Sequence, residues 1–214
     1  MKTITRAAVV LAVALFALVS CTTIDTIDSG GQLHLPALQS YTLYVSSDVD
    51  ADGQVAVAEA VRQWTMYTDV QITVVQGSLG CFDPGCFELE EVSFADFNAI
   101  LATVVGNSDG HYVGETIPYF VFLSTSTMAS YDEEQDTVIH ELGHMLGLEH
   151  PCTAPCSTFA VMNPTYLAGS GHVACNDVAQ YQADRPSDDA GAPMACTDVP
   201  GAFDESADGG PLGD

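Results

Sequence analysis

His140-Glu141-Leu142-Gly143-His144-Met145-Leu146-Gly147-Leu148-Glu149-His150 is the stretch from which the rest of this chain can be read. His140 and His144 are four residues apart, so on a helix both imidazoles stand on one face and can hold one metal ion. Glu141, one step round the same helix, reaches a water on that metal. Gly147 supplies the left-handed conformation that ends a helix, and the chain can then turn back to deliver His150 as a third nitrogen ligand. Three protein nitrogens leave a tetrahedral zinc one open position, the mark of a catalytic rather than a structural site. The bland alternative is an amphipathic helix that merely contains histidines. Five specified residues at fixed spacing argue against it.

Further along lies Ala160-Val161-Met162-Asn163-Pro164-Thr165-Tyr166, with Met162 twelve residues after His150. The two runs together resemble the metzincin metallopeptidases, whose zinc signature is followed by a methionine-containing turn. Within them, Met-x-Pro-x-Tyr is most similar to the matrixin branch. The resemblance implies a metzincin-like zinc peptidase domain of the α+β class: a twisted mixed β-sheet with about three helices, an active-site helix and a Met-turn. It implies His140, His144 and His150 as zinc ligands and Met162 as an apolar floor beneath the zinc. Pro164 and Tyr166 would line the pocket for the side chain just after the scissile bond. Pro151 departs from the matrixin pattern, which usually has serine there, whereas the serralysin branch has proline. Cys152 and Cys156, just beyond His150, are rival ligands at a site that three histidines already complete.

The activity implied is that of a zinc-dependent endopeptidase acting on protein or peptide substrates. Zinc lowers the pKa of its bound water towards ~7 and polarises the substrate carbonyl. Glu141 then serves as general base to the water and as general acid to the leaving amine. Two other classes stand beside this reading: a non-catalytic binding or adhesion lipoprotein on a metzincin scaffold, and a zinc hydrolase acting on something other than a peptide. Glu141 and Met162 argue against the first, and Pro164 with Tyr166 against the second.

Residues 1–20 read as a secretory signal. Lys2 and Arg6 precede an unbroken apolar run over residues 7–19, too short for the ~20 residues a bilayer span needs. Leu18-Val19-Ser20-Cys21 resembles the bacterial lipobox, in which Cys21 is lipidated and becomes the new N-terminus; a soluble secreted protein cut nearby is the alternative. Several acyl chains on one cysteine anchor a protein stably. Thr22 rather than Asp after the cysteine resembles lipoproteins sorted to the outer membrane. The chain is thus expected to be exported and lipid-anchored in the bacterial cell envelope, at the outer membrane. Residues 21–38 form the lipidated N-terminus and a flexible tether, 39–186 the catalytic domain, and 187–214 an acidic, disordered tail.

From residue 21 onward, 29 acids face only Arg62 and Arg185, a formal charge of −27. Such a surface repels nucleic acid and anionic headgroups, leaving the lipid anchor as the contact with membrane. Six cysteines remain besides Cys21, and in an exported chain they read as disulfides. Fifteen connectivities are open to them; a Pro-Gly turn would bring Cys81 and Cys86 together, and a bond from Cys175 to Cys196 would tie the last helix to the tail.

Periodicity predicts a strand over 41–45, a helix over 55–67 and a strand over 70–75. The segment 81–114 reads as irregular apart from a short helix over 94–105, and a strand follows over 119–123. Asp132 is expected to cap the zinc helix, with Glu133, Glu134 and Asp136 favouring its positive end. Residues 175–183 are expected to close the domain as a helix, where Asn176-Asp177-Val178-Ala179 is similar to a matrixin pattern. His34, His111 and His172 read as surface histidines. Finally, Asp48-Val49-Asp50-Ala51-Asp52-Gly53 followed by Glu59 matches a twelve-residue calcium loop, with Asp48, Asp50, Asp52 and Glu59 as ligands. An acidic turn whose Asp52 caps the next helix is the competing reading.

Overall fold

The computed structural model describes residues 38–77, 80, 83–104, 114–117, 119–124, 128, 131–150, 161–162 and 172–183. In chain order these form β1 (Ser40–Val45), α1 (Ala51–Tyr67), β2 (Gln71–Gln76), β3 (Cys86–Glu91), α2 (Phe94–Val104), β4 (Gly114–Ile117), β5 (Phe120–Leu123), α3 (Tyr131–Met145) and α4 (Cys175–Ala183). The strands make one mixed sheet in the order β2-β1-β3-β5-β4. All neighbours run parallel except β4, which pairs antiparallel to β5 at the edge. The mixed sheet and the histidine-bearing helix are as expected, although the described residues hold four helices rather than about three.

Alternation along the strands sorts the two faces of the sheet. Leu43 and Val45 of β1, Phe87 and Leu89 of β3, and Val121 and Leu123 of β5 are buried in one cluster with α1 and α3. From α1 the cluster takes Ala56, Val57, Ala60 and Trp64, and from α3 Val138, Ile139, Leu142 and Met145. Each large side chain sealed there stabilises the fold by about 1.5–3 kcal/mol. The Trp64 indole N–H also donates to the Ile139 carbonyl at 2.9 Å, fixing α1 against α3. The alternate residues of β5, Phe120 and Phe122, stack at 5.5 Å on the other face and pack with Phe97 and Ile100 of α2. The sheet is therefore covered on both sides at β5.

The helix boundaries have local causes. Asp50 has extended backbone and its Oδ1 accepts from Gly53 N–H at 2.9 Å, so α1 begins at Ala51, ahead of the expected residue 55. The first turn, Ala-Asp-Gly-Gln, carries no apolar periodicity by which to see it. Ser93 caps α2: its Oγ accepts from Asp96 N–H at 3.2 Å and its hydroxyl donates to Asp96 Oδ2 at 2.6 Å. Helix α3 already includes Tyr131, so Asp132 lies within its first turn and is not the cap. Strand β3 falls where the sequence reads as irregular, and β4 falls between that stretch and the next expected strand. In β3, Glu88 is buried to 2% exposure between β1 and β5, a position no period-2 reading assigns to an acid. At four residues, β4 is too short to show a period.

Candidate metal centre

Helix α3 buries Val138, Ile139, Leu142 and Met145, which leaves His140 and His144 one turn apart and half-exposed. At its end Gly147 adopts φ 91°, Gly147 N–H donates to the His144 carbonyl at 2.9 Å and Leu148 N–H to the Gly143 carbonyl at 3.0 Å. This is the left-handed stop expected of Gly147, and it brings His150 back against the helix. The His150 Nε2 lies 3.1 Å from Nε2 of both His140 and His144. A tetrahedral ion with bonds of ~2.0–2.1 Å separates its nitrogens by about 3.3–3.4 Å.

The proton positions follow from the partners behind the rings. His140 Nδ1 sits 2.7 Å from the Val161 carbonyl and His144 Nδ1 2.8 Å from the Leu148 carbonyl. A carbonyl only accepts, so both Nδ1 atoms carry the hydrogen and both Nε2 atoms present lone pairs. One N–H on His150 can satisfy at most one of those lone pairs, whereas a single cation satisfies all three nitrogens. The donor set therefore fits zinc. Among the described residues, these three histidines are the group whose ligand atoms all converge within 4.8 Å. Burial holds His140 below its usual pKa against the opposing Val161 bond, and lowers His144 far more, with the neighbouring histidines adding to the effect. His150 is brought down to about 4, by burial first and then by His140. All three thus stand in the neutral form a metal needs.

Glu141 is 5% exposed and faces β4. The Thr116 hydroxyl lies 2.6 Å from Glu141 Oε2 and 3.0 Å from its carbonyl, so the carboxylate accepts from a buried donor on the edge strand. Gly114 makes that approach possible: a Cβ there would sit 2.7 Å from Thr137 Cγ2 and 2.8 Å from Glu141 Cγ.

Met162 is fully buried. A Cβ at Gly143 would overlap the Met162 sulfur and press on Trp64, so the Met-turn packs against the helical turn between the first two histidines. Asp177 in α4 holds that turn. Its carboxylate accepts from Val161 N–H at 2.9 Å, Met162 N–H at 3.1 Å and Ala174 N–H at 2.8 Å. Burial raises its pKa to about 6 against the pull of those three bonds. Thr116 and Asp177 are absent from the sequence-based set of site residues. The Asn176-Asp177-Val178-Ala179 run was the available signal for Asp177, read there only as a helix.

The twelve-residue calcium loop is not assembled. Helix α1 runs unbroken from Ala51, which carries Glu59 two turns away from Asp48, Asp50 and Asp52 at ~1.5 Å per residue. Glu59 instead accepts from Arg62 at 2.6 and 2.7 Å and from Gln63 at 3.0 Å. Asp50, not Asp52, caps the helix. His172 is exposed as expected and touches Gln63 at 3.3 Å. Cys86 and Cys175 are both disulfide-bonded. Cys21, Cys81, Cys152, Cys156, Cys196, Pro164 and Tyr166 lie outside the described residues, as do the signal, most of the tether and the tail. No helix among the described residues is long and apolar enough to cross a membrane.

Fold and site together define a mixed α/β domain in which two histidines of one helix and a third just beyond its end converge as a candidate metal centre. No protein-family model matches the chain, and no curated protein matches it. Among solved structures it is similar to myroilysin, at 18% identity and a TM-score of 0.32, covering 52% of this chain and 48% of that one. It is also similar to High choriolytic enzyme 1, a hatching enzyme zinc-protease from the medaka fish Oryzias latipes. There the identity is 17% and the TM-score 0.32, over 60% of this chain and 55% of that one. The alignments thus span about half the length of these structures.

Proposed function

We propose that the chain is a zinc-dependent endopeptidase of the metzincin type, matrixin-like in its Met-x-Pro-x-Tyr turn and lipid-anchored in the cell envelope. The observation that carries the peptidase reading is the convergence of three histidine nitrogens, with His140 Nε2 and His144 Nε2 each 3.1 Å from His150 Nε2, beside the buried carboxylate of Glu141. His140, His144 and His150 would hold zinc, which when bound would supply a Lewis acid for the scissile carbonyl and for the attacking water. Glu141 takes a proton from that water and passes it to the leaving amine. Thr116 holds the carboxylate on the β4 side while it does so. Strand β4 is the edge strand of the described sheet and carries Thr116, so an extended peptide that adds to this edge meets Glu141 directly. Pro164 and Tyr166 would line the pocket for the residue after the cleaved bond.

The reading is tested by incubating the purified chain with a diverse peptide library. Cleavage that a zinc chelator abolishes and added zinc restores is the expected result; a zinc-loaded protein that leaves every peptide intact overturns it. The anchor has its own test. Cys21→Ser should move the protein from the membrane fraction to the soluble one, whereas unchanged fractionation with no lipid on the wild-type N-terminus removes this part of the proposal.

A further inference from the structure

Glu134, in the first turn of α3, is only 7% exposed, and its Oε1 meets no hydrogen-bond donor. The carboxylate points at the N-terminal turn of α1. A Cβ on Gly53 would sit 2.9 Å from Glu134 Oε1 and 3.6 Å from Asp50 Oδ1, so both carboxylates reach the space that this glycine leaves open. A third joins from the end of β3, where Glu91 Oε2 accepts from Asp50 N–H at 3.2 Å. Asp52 stands close enough for its charge to be felt: burial, then Asp50, Glu91 and Asp52, push Glu134 up to about 7. Among the described residues no Lys or Arg side chain is recorded against this gathering. Arg62 is the one Lys or Arg among the described residues, and it is bound to Glu59.

We propose that Glu134, Asp50 and Glu91, with Asp52 at the rim, form a site for a hard divalent cation of the calcium class that pins the start of α3 to the start of α1. A buried carboxylate oxygen without a donor is costly to a fold, and it is relieved by a proton or by a cation. Carboxylates converging from three elements favour the cation, because calcium takes six to eight oxygens in flexible geometry. The oxygens stand wider apart than the histidine nitrogens, with no three within 4.8 Å among the described residues. Like charges hold one another off; rotation of the exposed Asp52 side chain, and of Asp50 about its Oδ1 cap to Gly53, would bring their oxygens onto an ion at ~2.3–2.6 Å. This ligand set differs from the linear loop, since Asp48 and Glu59 take no part. Because Glu134 precedes His140 on the same helix, the ion would steady the element that carries the metal centre.

The test is a thermal melt of the purified, zinc-loaded chain at rising calcium. Wild type should gain about 5–10 °C at calcium a hundredfold above Kd. Glu134→Gln should lose that gain yet melt no lower than wild type without calcium, since it removes a buried charge. Asp50→Asn, which keeps a helix-capping oxygen, should also lose it, and Glu59→Ala should keep it. No rise in wild type, or the same rise in Glu134→Gln, overturns the site. The melt reads neither zinc nor turnover, so its outcome stands whether or not the chain cleaves peptides.

Discussion

Glu141→Ala should bind zinc as wild type does and lose peptidase activity by about 10²–10⁴-fold or more. Removal of a single general base typically costs that range, and here one carboxylate serves as base and then as acid. Zinc should stay because the three histidine nitrogens, not Glu141, converge on the metal position. The fold should also survive. Thr116 loses the Oε2 acceptor at 2.6 Å but keeps the Glu141 carbonyl at 3.0 Å, so its hydroxyl is not stranded in the interior. The measurement is kcat/KM on a cleaved peptide together with elemental analysis of zinc. Undiminished activity in a zinc-replete Glu141→Ala protein would remove the proposed mechanism.

The second large effect is expected at Asp177, which touches no histidine. Asp177→Ala strands the N–H groups of Val161, Met162 and Ala174 in a position that is 1% exposed in the native protein. Each unsatisfied buried donor costs about 1–3 kcal/mol, though such terms do not add fully. A net loss of about 3–5 kcal/mol corresponds to a fall in Tm of about 10 °C for a chain of this size. Zinc affinity should drop as well, by about 10–100-fold, the usual cost of losing an outer partner of a ligand. The route is short: the turn that Asp177 holds presents the Val161 carbonyl to His140 Nδ1 at 2.7 Å. The pH dependence has a definite sign. Burial raises the folded pKa of Asp177 from 3.8 to about 6, so the folded chain holds this proton more tightly than the unfolded chain does. Stability from that term is fully present below about pH 4 and is lost as pH rises through about 6. The deficit of Asp177→Ala relative to wild type should therefore narrow across that window. A variant with wild-type Tm and zinc affinity would mean that the Met-turn is held by something else.

By itself, the sequence determined the local geometry of this protein. His140, Glu141 and His144 acquire their directions from helical spacing alone, and Gly147 marks the stop that returns His150. The α4 boundaries, Cys175–Ala183, likewise agree with the run read from local pattern. Where a pattern must be completed by a distant partner, local reading fails. The acids from Asp48 to Glu59 match a calcium loop letter by letter, yet the Asp50 cap starts a helix through the middle of it. Glu88 makes β3 look like a surface segment until β1 and β5 close over it. Thr116 reaches Glu141 across 25 positions and Asp177 reaches the Met-turn across 15 and 16. Those contacts exist because buried donors and acceptors must find partners once the chain is packed, and only the tertiary structure decides which partners are within reach.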